Sequence, residues 1–300
     1  MRFMGVDGRV VDTAEAVVSV MDHGLLYGMG LFETFRTYRG EPFLLERHLT
    51  RLAESCSLLG ITYKPDPEYI QGWITRLLLA NDLEDAYVRY TVTAGVEALG
   101  LPAGDYMNPS ELLYVKSLPV LSPALYKQGK ALQLLLTPRN TPETSVRLKS
   151  LHYMNNIMAK RELQRYPEAV RLQAEGCMLT ENGELAEGIV SNIFFIKDGK
   201  LYTPDIGTGI LPGITRAKVL ELAQQLSIPT EEGRYTWDTF TDADEIFTTG
   251  SVQEIMPITR LLKAEEEPVV VGNGLAGPIT ERLMKAYQAE SRGCNEDNNL

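Results

Sequence analysis

The sequence lacks the signatures of several common enzyme chemistries. It has no G-x-x-x-x-G-K-[ST] loop to cradle a nucleotide's phosphates and no G-x-S-x-G nucleophile elbow. Its three histidines, His23, His48 and His152, sit at spacings that suit no common metal site. The three cysteines, Cys56, Cys177 and Cys294, are odd in number and far apart. That argues against a disulfide framework or a zinc site and makes a reducing cytoplasm the natural setting. No apolar run approaches the length of a membrane span, and Asp7, Arg9, Asp12 and Glu15 would interrupt any secretory apolar segment. Positive charge is scarce as well: 29 Lys and Arg face 40 Asp and Glu, a formal net charge of −11. A nucleic-acid or anionic-membrane surface is therefore not expected, while a local basic pocket stays open.

What is present is globular. The 300 residues are 44% hydrophobic and 23% charged, enough for a sizeable core in one large domain or two ordinary ones. Runs at 16–20, 32–38, 87–93 and 111–116 read as strands. Leu44, Leu45, His48, Leu52, Ser55 and Leu59 mark one helix, and Ile70, Ile74, Leu77 and Leu78 a second. This predicts an α/β (α+β) first domain over 1–120. A segment with prolines and a glycine suggests a linker at 121–129, and a second domain follows over 130–290. In that domain the pattern predicts a strand at 131–137, a helix over about 153–166, a Gly-rich hairpin region over 175–199, a short strand at 200–202 and a helix opening near Leu211. The polar, Asn-rich end, 291–300, reads as a disordered tail.

Five polar features interrupt apolar contexts. Lys149 precedes a helix; a desolvated lysine becomes a nucleophile, but an exposed one accounts for the pattern as well. Glu187 stands before Gly188 and an apolar strand, where it could pair with a cationic ring nitrogen or simply cap a solvated turn. Arg51 lies at the edge of its helix's apolar face, placed for an anion or for an ordinary ion pair. The loop Gly209-Ile-Leu-Pro-Gly-Ile-Thr-Arg216 enters a helix whose first amides suit a phosphate, though capping alone explains such residues. Thr248-Thr-Gly-Ser-Val252 is a small-residue turn that could close the same cup. Together they supply an amine, an acid, a guanidinium and amide-rich turns, the parts that bind and tune pyridoxal phosphate.

The wording and order of six segments resemble the class IV (fold type IV) aminotransferase-like family of pyridoxal-phosphate enzymes, over about Gly5 to Tyr287. They are Asp22-His-Gly-Leu-Leu-Tyr-Gly-Met-Gly-Leu-Phe-Glu-Thr34, His48-Leu-Thr-Arg-Leu52, Arg147-Leu-Lys-Ser150, Glu187-Gly-Ile-Val-Ser-Asn192, Leu211-Pro-Gly-Ile-Thr-Arg216 and Gly250-Ser-Val252. The resemblance implies an N-terminal α/β sandwich, a C-terminal pseudo-barrel domain and a homodimer acting on a small-molecule substrate. It implies that Lys149 holds the cofactor as a Schiff base and serves as base, and that Glu187 binds the pyridine nitrogen. It further implies that Arg51, the amides of Ile214 and Thr215, and Ser251 hold the phosphate, with Tyr153 near the phenolic oxygen. Within the family, the segment from Asn140 to Asn156 looks most like the aminodeoxychorismate lyases. The D-amino-acid transaminases carry an Arg and a His in the loop that here reads Val96-Glu-Ala-Leu-Gly-Leu-Pro-Ala-Gly104. A dicarboxylate substrate would need cationic or hydroxyl donors, for which Arg89, Arg147 and Tyr27 are the candidates.

Overall fold

The computed structural model describes residues 1–120 and 122–293. The chain divides into two compact units: Met1–Pro119 with Leu148–His152, and Val120–Arg147 with the chain from Tyr153 onward.

The first unit opens with a hairpin, β1 (Phe3–Val6) and β2 (Arg9–Asp12). Its turn is Asp7-Gly8, both at positive φ, the backbone that a two-residue hairpin loop requires. The helix α1 (His23–Tyr27) follows, capped by the Asp22 carboxylate. Then come β3 (Gly30–Tyr38), β4 (Glu41–Pro42), α2 (Leu45–Leu58), α3 (Pro67–Ala80), β5 (Ala86–Thr93) and β6 (Ser110–Ser117). The strands form one sheet in the order β2-β1-β6-β5-β3-β4, antiparallel throughout. Leu31 and Phe35 of β3, with Val88 and Tyr90 of β5, pack against Leu49 and Leu52 of α2 and Trp73, Ile74 and Leu77 of α3. The period of two along a strand sends alternate residues to this buried face, and the helical stripes of α2 and α3 cover it. Segment 148–152 lies against β3: the amide of Phe32 donates to the carbonyl of Lys149 (2.9 Å), and that of Leu151 to Gly30 (2.9 Å).

The second unit contains α4 (Pro123–Gln128), β7 (Lys130–Leu134), α5 (Met154–Leu163), α6 (Pro167–Arg171), β8 (Glu175–Leu179), β9 (Leu185–Gly188), β10 (Asn192–Lys197) and β11 (Lys200–Pro204). It continues with α7 (Ile214–Gln225), β12 (Thr230–Gly233), α8 (Trp237–Thr241), β13 (Glu245–Gly250), β14 (Glu254–Leu262), β15 (Val269–Val270) and α9 (Pro278–Arg292). The strands run β12-β11-β10-β13-β14-β7-β8-β9, with β15 on β14. The sheet curls, so that β9 at one end returns beside β10 and β11 near the other. This is the curled half-barrel that the resemblance implies for the C-terminal domain. Phe194 and Phe247 stack as a cross-strand pair, centroids 5.0 Å apart, and α7 and α9 pack on β13. Among the described residues no helix is long and apolar enough to cross a membrane.

Several expected elements differ. Residues 16–20 form no strand: Val17, Val18 and Val20 are exposed, because residues 13–15 turn the chain away from β2 and no neighbour supplies ladder partners. The strand expected over 131–137 stops at Leu134, where the Glu162 carboxylate takes the amides of Leu136 (2.6 Å) and Thr137 (2.7 Å). The helix expected to reach Tyr166 ends at Leu163, and Pro167 opens the separate helix α6. Segment 121–129 contains α4. Of the expected tail, Ser291 and Arg292 complete α9 and Gly293 follows it, while 294–300, with Cys294, lie outside the described residues.

Candidate active site

In the first unit the bridge between Leu31 and Ser150 fixes Lys149 on the open side of β3. Its ammonium stands 4.8 Å from the centre of the Phe32 ring, and the guanidinium of Arg89 stacks on the same ring at 3.6 Å. Arg89 comes from β5, opposite Thr34 in register, and Thr91 Oγ1 accepts from its Nε at 3.4 Å. Tyr114 stands opposite Arg89 on β6; burial pushes its hydroxyl pKa up, against the pull of Arg89's charge. The structure thus brings Lys149 and Arg89 together.

Arg51 lies on α2 with its side chain 13% exposed, and its Nε and Nη2 donate to the two oxygens of buried Glu33 at 2.7 and 2.6 Å. His48 Nδ1 lies 2.6 Å from the same carboxylate. Burial drives the His48 pKa down, against the pull of Glu33. Burial alone would raise the Glu33 pKa, but Arg51 and His48 outweigh it and hold the carboxyl at about 2. Tyr27 is engaged within its own unit: its hydroxyl accepts from the Gly100 amide (3.0 Å), and its carbonyl bonds His152 Nε2 (2.9 Å).

The second unit gathers the acid and the phosphate turns. Glu187, on β9, is 4% exposed. Its Oε1 accepts from Arg139 Nε at 2.7 Å, and its Oε2 from the Leu211 amide at 3.0 Å and from Asn192 Nδ2 at 3.4 Å. Asn192 also donates to the Leu211 carbonyl (2.9 Å), tying β10 to the loop that enters α7. That helix starts at Ile214 behind Gly213, with no side chain capping it, so the amides of Ile214 and Thr215 head its positive end. A Cβ on Gly213 would stand 2.0 Å from Asn192 Oδ1, so the close turn admits only glycine. Thr249, opposite Asn192 on β13, has a buried hydroxyl with no hydrogen-bond partner among the described residues, and Ser251 follows two residues on. A buried carboxylate ringed by donors, uncapped helix amides and an orphaned hydroxyl together match a pyridinium nitrogen and its phosphate in charge and donor type.

Arg147 and Tyr153 also belong to this unit. Tyr153 stands half-buried at the start of α5. Arg147 is buried, and its guanidinium binds the backbone carbonyls of Asn140 and Gly209. Burial, with Arg139 beside it, lowers its pKa to about 10. The side chain proposed for a substrate carboxylate thus ties two loops together. Arg139 is the residue that sequence reasoning missed: it also bonds Asn155 (2.7 Å) and Asn156 (3.2 Å) of α5. Its only signal was a charge just past the end of a strand, which surface arginines share.

Comparison with known proteins agrees with this geometry. The family model for amino-transferase class IV matches residues 30–261. An aminodeoxychorismate lyase of Bacillus subtilis (strain 168) is 42% identical over 287 residues, 95% of this chain and 93% of that protein. The crystal structure of 4-amino-4-deoxychorismate lyase from Pseudomonas aeruginosa superposes with a TM-score of 0.81 at 30% identity, covering 96% of this chain and 99% of that one. A T.th. branched-chain amino acid aminotransferase, complexed with N-(5'-phosphopyridoxyl)-L-glutamate, gives a TM-score of 0.82 at 28% identity, covering 98% and 95%. The chain belongs to the class IV aminotransferase family.

Proposed function

We propose that this chain is a pyridoxal-phosphate-dependent lyase that eliminates pyruvate from 4-amino-4-deoxychorismate and leaves 4-aminobenzoate for folate synthesis, acting as a cytoplasmic homodimer. The observation that carries the lyase reading over a transaminase is the 42% identity to the Bacillus subtilis lyase, against 35% to a branched-chain-amino-acid aminotransferase of Pseudomonas aeruginosa that matches over nearly as much of this chain. The loop 96–104, which holds no Arg, Lys or His, supports it.

Bound pyridoxal phosphate supplies an electron sink for the charge left when the amine-bearing carbon loses its proton. Lys149 holds the cofactor and, once displaced by the substrate amine, takes that proton. Glu187, held in place by Arg139 and the Leu211 amide, pairs with the pyridine nitrogen. Arg51, the Ile214 and Thr215 amides and Ser251 hold the phosphate. Arg89, on the ring that Lys149 also faces, takes a substrate carboxylate. Aromatisation of the substrate ring drives the elimination, so the protein mainly positions groups and moves protons.

The test is release of 4-aminobenzoate and pyruvate from aminodeoxychorismate with no keto acid present, beside Lys149→Ala. Keto-acid-independent turnover that the variant loses is the expected result. Turnover only with an added keto acid would make the chain a transaminase and end the lyase reading. Light scattering of the purified chain tests the dimer.

A further inference from the structure

Glu33 has no part in the reaction proposed above, yet it is among the most buried charged groups in the first unit, at 1% exposure. It occupies a β3 position whose neighbours on the same face, Leu31 and Phe35, belong to the core. An ionised carboxylate survives there only if its desolvation is offset by close partners. Arg51 and His48 provide them, and they stand three residues apart on α2, one turn, so both reach the strand from the same helix face.

The contact is a two-pronged one. Both oxygens of Glu33 face the Nε–Nη2 edge of Arg51, which fixes the guanidinium plane as well as its position. His48 adds a third bond that stops the carboxylate from turning. The Glu33 carboxylate faces the Arg51 guanidinium at hydrogen-bond distance, so the two charges offset one another. Arg51's charge is thus already offset, and what it can give an anion is chiefly direction.

We propose that Glu33 is a positioning residue for the cofactor's phosphate: it grips one edge of Arg51 and so fixes the plane in which the guanidinium meets the phosphate. This rests on the reading of Arg51 as a phosphate ligand. Electrostatics and positioning make opposite forecasts for Glu33→Gln. Removing the negative charge would by itself strengthen attraction for an anion. Losing the two-pronged contact, with an amide NH2 now facing N–H donors, would let the guanidinium turn away.

The experiment titrates the full chain, stripped of cofactor, with pyridoxal phosphate and with pyridoxal, and takes the dissociation constant for pyridoxal divided by that for pyridoxal phosphate as phosphate discrimination. Glu33→Gln is expected to lower that ratio about tenfold, with Glu33→Asp between it and the parent. Arg51→Ala is expected to lower it at least as far, and adding Glu33→Gln to Arg51→Ala should change nothing more. Thermal unfolding of the stripped chains reports any general loss of stability, which shifts both affinities together and leaves the ratio alone. An unchanged or raised ratio in Glu33→Gln, with Arg51→Ala still lowering it, overturns the positioning role and leaves the phosphate role of Arg51 standing. An unchanged ratio in Arg51→Ala overturns both. If Glu33→Gln does not fold, His48→Asn, which removes the bond that orients the carboxylate, decides the matter by the same ratio: a fall supports the role and no change overturns it.

Discussion

Arg139 donates from Nε to Oε1 of Glu187 at 2.7 Å, an ion pair whose members are 8% and 4% exposed. Breaking a buried pair by removing one member leaves an uncompensated charge and costs about 3–5 kcal/mol. Arg139→Met should therefore destabilise the stripped chain by that order in denaturant unfolding, and should weaken cofactor binding because Glu187 is no longer held in place. Arg139→Gln, which retains a donor, should lose less. Equal stability of Arg139→Met and the parent would show that the pair is not what holds Glu187.

Arg89 and Lys149 approach one ring, that of Phe32, at 3.6 and 4.8 Å. If Lys149 is the reacting amine and Arg89 fixes a substrate carboxylate beside it, truncating one side of that charge pair costs about 2–5 kcal/mol. Arg89→Met should raise KM for aminodeoxychorismate about 100-fold, with a smaller fall in kcat. Steady-state pyruvate release measures both, and a KM left at the parent value would remove Arg89 from the substrate site.

Much of this arrangement was legible in the sequence. The strands β3, β5 and β6 and the helices α2, α3 and α7 carry clear periodicity, because each buries one face in a core. Lys149, Glu187 and the loop before α7 stood out for a different reason: an exposed lysine, a solvated turn glutamate and ordinary capping fit each local pattern as well, and only six segments in the order of the resemblance singled them out. The partners were not legible. Arg139 meets Glu187 across 48 residues and Arg51 meets Glu33 across 18, and no local pattern encodes such pairings. The use of Arg147 was also hidden, since its carbonyl partners are backbone groups that every residue offers. The valine-rich run at 16–20 misled for a related reason: strand propensity describes a residue, whereas a strand needs a neighbour.

Glu33 gives the fold an acid sensitivity of known sign. Its carboxyl is held at about 2 in the folded chain, against an ordinary value of 4.5. A depressed carboxylate stabilises the fold above the unfolded value, and that stability is lost as pH falls toward the folded one. Unfolding free energy should thus decline as pH drops from about 4.5 to about 2, with Glu33 contributing about 3 kcal/mol to the change. Denaturant unfolding across that range should show a shallower decline in Glu33→Gln. Parallel curves for the variant and the parent would mean that folding does not lower the pKa of this carboxyl.

Thr249 separates a binding role from a structural one. Its hydroxyl is buried without a partner among the described residues, and as Asn192's cross-strand partner it shares the sheet face from which Asn192 reaches the loop before α7. An orphaned hydroxyl costs stability, so its removal in Thr249→Val should leave the stripped chain as stable or up to about 1 kcal/mol more stable. If the hydroxyl completes the phosphate cup with Ser251 and the Ile214 and Thr215 amides, the same change should weaken pyridoxal phosphate about tenfold to a hundredfold, a net hydrogen bond to a charged group. Pyridoxal, which lacks the phosphate, should bind as before. The two measurements then move in opposite directions, which no packing defect produces. Undiminished affinity for pyridoxal phosphate would place Thr249 outside the cup.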